Sequence, residues 1–171
     1  MKNQNNICFI DWQNLQLWIQ SEWWNLDFKR FWIYLKEKFW AKKIFYFLWI
    51  KYENEEKMYE NLERNWFTLV FRDHWNSQIW KKKWNVDTDI VHEMMKKSCE
   101  KEKDFNKIIL ISWDWDYFRT VEYLVEKDLF LKIILPNKKY SSLYKKINWN
   151  FRIILSSNEI KAKLEYKKKG K

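Results

Sequence analysis

A chain of 171 residues, 47% hydrophobic and 33% charged, suits one domain with its own core, and no apolar run approaches the roughly 20 residues of a membrane span. The opening MKNQNN followed by ICFI lacks the regions of a signal peptide, and Cys8 and Cys99 make neither a metal spacing nor a disulfide framework, so a cytoplasmic protein with reduced packing cysteines is expected. The net charge of +10 would suit a polyanion, but the excess is mostly Lys in a chain also rich in Asn, Ile, Phe and Tyr, whose codons are A/T-rich, so charge supports nucleic-acid binding only modestly.

Residues 6 to 11, NICFID, read as a short buried strand ending in Asp11, and Gln13, Asn14 and Leu15 open a helix behind it. Residues 26 to 39 place Leu26, Phe28, Phe31, Ile33, Tyr34 and Leu35 at helical spacing, and residues 43 to 49 form the next strand. Residues 54 to 65 are helical, with Met58, Tyr59 and Leu62 inward, and residues 68 to 72 are a third strand. Residues 73 to 85 hold no convincing element; their Lys81, Lys82 and Lys83 could meet phosphate, although such runs more often face solvent. A helix follows over residues 87 to 101, with Ile90, Met94 and Met95 inward. Asp87 is placed to cap it, and Asp89 and Glu93 share one face. His92 on this helix and His74 before it make no metal pair with any other His or Cys.

The stretch KIILISWDWDYFRTVEYL, residues 107 to 124, is the centre of the chain. Its strand Ile108, Ile109, Leu110, Ile111 ends in Ser112 and delivers Asp114 and Asp116 just before an amphipathic helix through Tyr117, Val121, Leu124 and Val125. Two ionised carboxylates about 4 Å apart repel by roughly 4 kcal/mol at an effective dielectric of 20, so such a pair needs a cation, a shared proton or exposure to water. By itself the stretch suits an acidic site and a pair of solvated turn residues equally well. A strand over residues 130 to 135, the lone Pro136, a short helix over 141 to 147, a strand over 152 to 155 and a basic-ended helix complete the chain. Regular alternation of strand and helix predicts an α/β fold with a mostly parallel sheet covered on both faces. Residues 1 to 155 are assigned to one domain, and 156 to 171 to a C-terminal helix and basic tail.

One glycine and fourteen tryptophans are unusual, since about 12 glycines are expected at this length. Trp12, Trp40, Trp49, Trp66, Trp84, Trp113 and Trp115 fall at turn positions, where a left-handed conformation would cost a bulky residue roughly 1–2 kcal/mol. We hypothesise that most of them are UGA codons decoded as Gly in the source. UGG at codons 12, 84, 113 and 115 would refute this. Trp24, Trp32 and Trp149 lie where Gly is not called for.

With Trp read as Gly, FIDWQNL becomes FIDGQNL, KKKWNVDTDIV becomes KKKGNVDTDIV and ISWDWDYF becomes ISGDGDYF. In that order these motifs, with LPNKKYSSL, resemble the NYN domain, the LabA-like branch of the PIN-like nuclease superfamily, over residues 7 to about 147. The resemblance implies a single PIN-like domain and a metal-dependent ribonuclease. It carries the family's acidic site to Asp11, Asn14, Asp87, Asp114 and Asp116, with Asp89 a weaker candidate. Asp11 and Asp114 also stand at carboxyl ends of strands, where ligands bind in open α/β sheets. A carboxylate-only cluster selects hard ions such as Mg²⁺ or Mn²⁺. The implied roles are Asp11, Asp114 and Asp116 as ligands, Asp87 as ligand or orienter, and Asn14 as the amide fixing Asp11 or a water. Lys81, Lys82, Lys83, Lys138 and Lys139 are weak candidates for RNA backbone contacts. The expected partner is RNA, with no membrane and with homo-oligomerisation left open.

The competing reading is a non-catalytic RNA-binding module on the same fold, which would not need the full acid set. A haloacid-dehalogenase-like phosphohydrolase ranks below both. Phe118 stands where that group carries Thr or Val after its acid pair, and the pair lies late in the chain rather than on its first strand.

Overall fold

The alternation of strand and helix builds a single six-stranded sheet. The structure, a computed structural model, describes residues 4–21, 24–49, 51–71, 86–100, 103–136 and 142–166. The strands are β1 (Asn6–Asp11), β2 (Ala41–Leu48), β3 (Thr68–Phe71), β4 (Ile108–Ile111), β5 (Phe130–Leu135) and β6 (Arg152–Ile154). They lie in the order β3-β2-β1-β4-β5-β6, every neighbouring pair parallel. The helices are α1 (Trp12–Ser21), α2 (Phe28–Phe39), α3 (Glu56–Arg64), α4 (Val86–Cys99), α5 (Phe118–Glu126) and α6 (Asn158–Leu164).

Side chains of β1 alternate between two apolar layers, as the two-residue period of a strand requires. Cys8 and Ile10 pack with Leu15, Phe31, Leu35 and Leu62 of α1, α2 and α3 on one face. Ile7 and Phe9 pack with Ile90, Met94, Val121 and Leu124 of α4 and α5 on the other. Each side chain so buried contributes roughly 1.5–3 kcal/mol relative to exposure. This is the doubly covered α/β fold expected from the sequence.

Strand order fixes where a site can form. The chain runs outward from β1 through β2 to β3, crosses back through α4 to β4 on the other side of β1, and runs outward again to β6. The order therefore reverses between β1 and β4, and at their carboxyl ends the connections diverge and leave a crevice.

Several local expectations are revised. The short helix expected over residues 141 to 147 is a 3₁₀ turn, Ser142–Lys146. Asp87 is the second residue of α4 rather than its cap, because the helix already includes Val86. Cys8 is buried, but Cys99 is exposed at the end of α4 and is not a packing residue. Met94 faces the core, while Met95 is only half-buried. Left-handed backbone occurs, among the described tryptophans, at Trp40 (φ 52°) and Trp66 (φ 60°). Trp12, Trp49, Trp113 and Trp115 do not adopt it. Trp12 and Trp115 instead begin helical turns, where right-handed dihedrals serve. Trp84, the basic loop and the tail beyond residue 166 lie outside the described residues.

Candidate metal centre

Asp11 is the last residue of β1, with 2% of its surface exposed. It immediately precedes α1, so its carboxylate meets the free N–H groups of that helix. The Asn14 backbone N–H donates to Oδ1 at 3.1 Å, and the Asn14 side-chain amide donates to Oδ2. Burial raises the Asp11 pKa, against hydrogen bonds from Asn14, Tyr117 and Asp87.

The second strand end is built differently. Ser112, fully buried after β4, accepts the Asp114 N–H on its Oγ at 3.1 Å. Asp114 is extended (φ −70°, ψ 138°), and its Oδ1 accepts the Asp116 N–H at 3.1 Å, capping the 3₁₀ turn Trp115–Tyr117. That turn leaves Asp114 half-buried and Asp116 exposed. The pKa of Asp114 is raised, first by partial burial and then by the charges of Asp87 and Asp116, against backbone hydrogen bonds from Asp116 and Trp115.

Asp87, buried in the first turn of α4, completes the group. Asp87, Asp114 and Asp116 each place a carboxylate oxygen within 4.8 Å of the other two. Oxygens sharing one hard cation at about 2.0–2.6 Å lie at most about 5 Å apart, so the spacing and the all-carboxylate chemistry fit a divalent ion of the Mg²⁺, Mn²⁺ or Ca²⁺ type. Asp11 is not within this triad, but is joined to it by its hydrogen bond with Asp87 and by Tyr117. The buried Tyr117 hydroxyl lies 2.9 Å from Oδ2 of Asp11 and also hydrogen-bonds Oδ1 of Asp87. Burial and the charges of Asp11 and Asp87 push its pKa far up, so it stays protonated, with one proton to donate to one of the two carboxylates at a time. Tyr144, from the Ser142–Lys146 turn, donates to the backbone carbonyl of Asp114.

Asp11, with Asn14 bonded to it, thus lies beside the Asp87, Asp114 and Asp116 group, where the ends of β1 and β4 meet the start of α4. Asp89 instead lines a separate cleft of about 300 Å³ with His92, Glu93 and Phe71. Lys81, Lys82, Lys83, Lys138 and Lys139 lie outside the described residues. The sequence reading missed Ser112, Tyr144 and above all Tyr117, which counted only as an apolar helix position. The available signal was a phenol on an inward face beside two acids, since a buried hydroxyl needs a partner.

The family model of the NYN domain matches residues 7–155, from β1 to just beyond β6. A crystal structure of a protein of unknown function from Vibrio parahaemolyticus RIMD 2210633 superposes with a TM-score of 0.73 at 14% identity, covering 95% of this chain and 96% of that one. That likeness carries the fold. Among curated proteins, no significant match is found. No helix among the described residues is long and apolar enough to cross a membrane.

Proposed function

The chain belongs to the NYN domain family, and from that premise we propose that it is a metal-dependent ribonuclease hydrolysing RNA phosphodiester bonds at the crevice between β1 and β4. The observation that carries the proposal is the convergence of Asp87, Asp114 and Asp116 within 4.8 Å, in a family of nuclease-like fold. Asp87, Asp114 and Asp116 would hold Mg²⁺ or Mn²⁺, with Asp11 beside them as an outer carboxylate that orients Asp87 through Tyr117 or a metal-bound water. Bound there, the ion would lower the pKa of a water nucleophile and neutralise charge on the scissile phosphate.

The chain's own groups prepare that centre. Asn14 holds both oxygens of Asp11 and so fixes the rotamer of a side chain that β1 cannot orient alone. Ser112 and the Asp116 N–H fix the turn that presents Asp114. Asp116, exposed where Asp87 is buried, leaves the group open to solvent and so to a phosphodiester. The excess of basic residues supports a polyanionic substrate, and the family points to RNA in a cytoplasmic setting, with the motifs closest to the LabA-like branch.

We also read the turn tryptophans as glycine positions of the native gene product. The left-handed backbone at Trp40 and Trp66 supports this, because Gly adopts it without steric cost. The codons decide it: UGG at 40 and 66 refutes the reading there.

The test is cleavage of end-labelled single-stranded RNA with Mg²⁺, Mn²⁺ or a chelator. The chain as given is set beside a version with Gly at the turn positions, and each beside its D114N, D116N double variant. Metal-dependent cleavage lost in the double variant is the expected result. A folded protein that binds RNA but cleaves none with either metal would replace the enzyme with a binding module.

A further inference from the structure

Three segments meet at one oxygen atom. Asp11 comes from the end of β1, Asp87 from the start of α4 and Tyr117 from the turn after β4, and the Tyr117 hydroxyl touches both carboxylates. The ring has no exposed surface and packs in the layer that holds Phe9, Ile90 and Val121. It therefore has no room to swing, and its hydroxyl is a fixed post beside two neighbouring acidic side chains.

We propose that Tyr117 is a positioning residue of the centre: its hydroxyl sets where the Asp11 and Asp87 carboxylates sit, and thereby how tightly the centre holds a divalent cation. The inference rests on the nuclease reading. Outer-shell groups that hydrogen-bond metal-ligating carboxylates commonly govern affinity in this way. Packing alone does not account for the hydroxyl, since Phe would fill the same apolar layer. Tyr46 gives the contrast within the same sheet. It is equally buried, but its hydroxyl has no hydrogen-bond partner among the described residues. The sequence origin is local: the turn that directs Asp116 outward directs the next side chain inward.

The test compares the full chain with Tyr117→Phe and, as control, Tyr46→Phe. Mn²⁺ binding is followed by electron paramagnetic resonance without RNA, and RNA cleavage is followed against Mn²⁺ concentration. Tyr117→Phe is expected to bind Mn²⁺ about 10- to 100-fold more weakly, with much of its maximal rate recovered at saturating metal. Tyr46→Phe is expected to match the parent. Equal Mn²⁺ affinity in parent and Tyr117→Phe overturns the inference and leaves the nuclease reading standing. Failure of the parent to bind Mn²⁺ overturns both. Should Tyr117→Phe not fold, ¹³Cζ-labelled tyrosine in the parent answers the same question during Mg²⁺ titration. The Tyr117 resonance is expected to move with metal occupancy, and an unmoved Tyr117 resonance overturns the inference.

Discussion

At the scale of single residues, Trp40 and Trp66 offer a matched pair. Trp40 ends α2 in a left-handed conformation (φ 52°, ψ 36°), its N–H bonded to the Leu35 carbonyl, and its ring is 53% exposed. Little packing offsets the steric penalty of roughly 1–2 kcal/mol, so Trp40→Gly should raise stability by about 1 kcal/mol in denaturant unfolding. Trp66 also has a positive φ (60°), but its ring lies 4.7 Å from that of Trp32. Losing that contact, worth about 0.5–1.5 kcal/mol, should leave Trp66→Gly near neutral. Asp114 is the second residue-scale case, since partial burial and the charges of Asp87 and Asp116 disfavour its ionised form. Asp114→Asn should therefore stabilise the metal-free protein at neutral pH, by on the order of 1 kcal/mol or less after solvent screening, while removing cleavage. A lower melting midpoint for Asp114→Asn in chelator would contradict this. Both acids of the DWD motif were legible because a strand pattern ran directly into them. The left-handed residues were legible only in part, because a turn position does not reveal which dihedrals the turn uses.

Elements are held in register by a few polar contacts at the opposite end of the sheet. Asn6, buried at the start of β1, donates its side-chain amide to the Phe39 carbonyl at 2.6 Å and accepts the Lys107 N–H at 3.1 Å. One side chain thus ties β1 to the end of α2 and to the entry of β4. Asn6→Ala would leave a buried carbonyl and N–H without partners, at about 1–3 kcal/mol each, so a loss of roughly 2–4 kcal/mol is expected in denaturant unfolding. A loss below about 0.5 kcal/mol would show that water satisfies both groups. The strands and most helices were readable from the sequence because apolar periods of two and of nearly four alternate along the chain. The 3₁₀ turn Ser142–Lys146 was not, since a single short turn has no period to distinguish it. Tyr117 was hidden for a related reason: its apolar ring satisfies the helix pattern, and its hydroxyl's partners come from segments far away in the sequence.

For the molecule as a whole, fold and site follow from one topological fact, the reversal of strand order between β1 and β4. Two strand ends and the start of the crossover helix α4 open on the same crevice, so acids distant in sequence become neighbours. The arrangement favours function over stability. Asp11 and Asp114 both have pKa values raised by burial, so the folded metal-free protein holds protons on them more tightly than the unfolded chain does. Stability should therefore rise as pH falls from neutral through their raised values, and this gain should be complete near the unfolded carboxylate value of about 3.9. Saturating Mn²⁺ should flatten that dependence, because a cation stabilises the same charged forms. Thermal midpoints across pH, with chelator and with Mn²⁺, check both parts.

The most direct test of the central claim replaces Asp116, the exposed member of the proposed ligand set, with a soft donor. In Asp116→Cys, RNA cleavage with Mg²⁺ should collapse and return in part with Mn²⁺ or Cd²⁺, so that the Cd²⁺ to Mg²⁺ rate ratio rises well above that of the parent, since thiolate favours softer metals than carboxylate does. An unchanged ratio, with Mg²⁺ supporting the variant as well as the parent, would mean that Asp116 does not hold the working metal, and the carboxylate centre described here would not be the seat of catalysis.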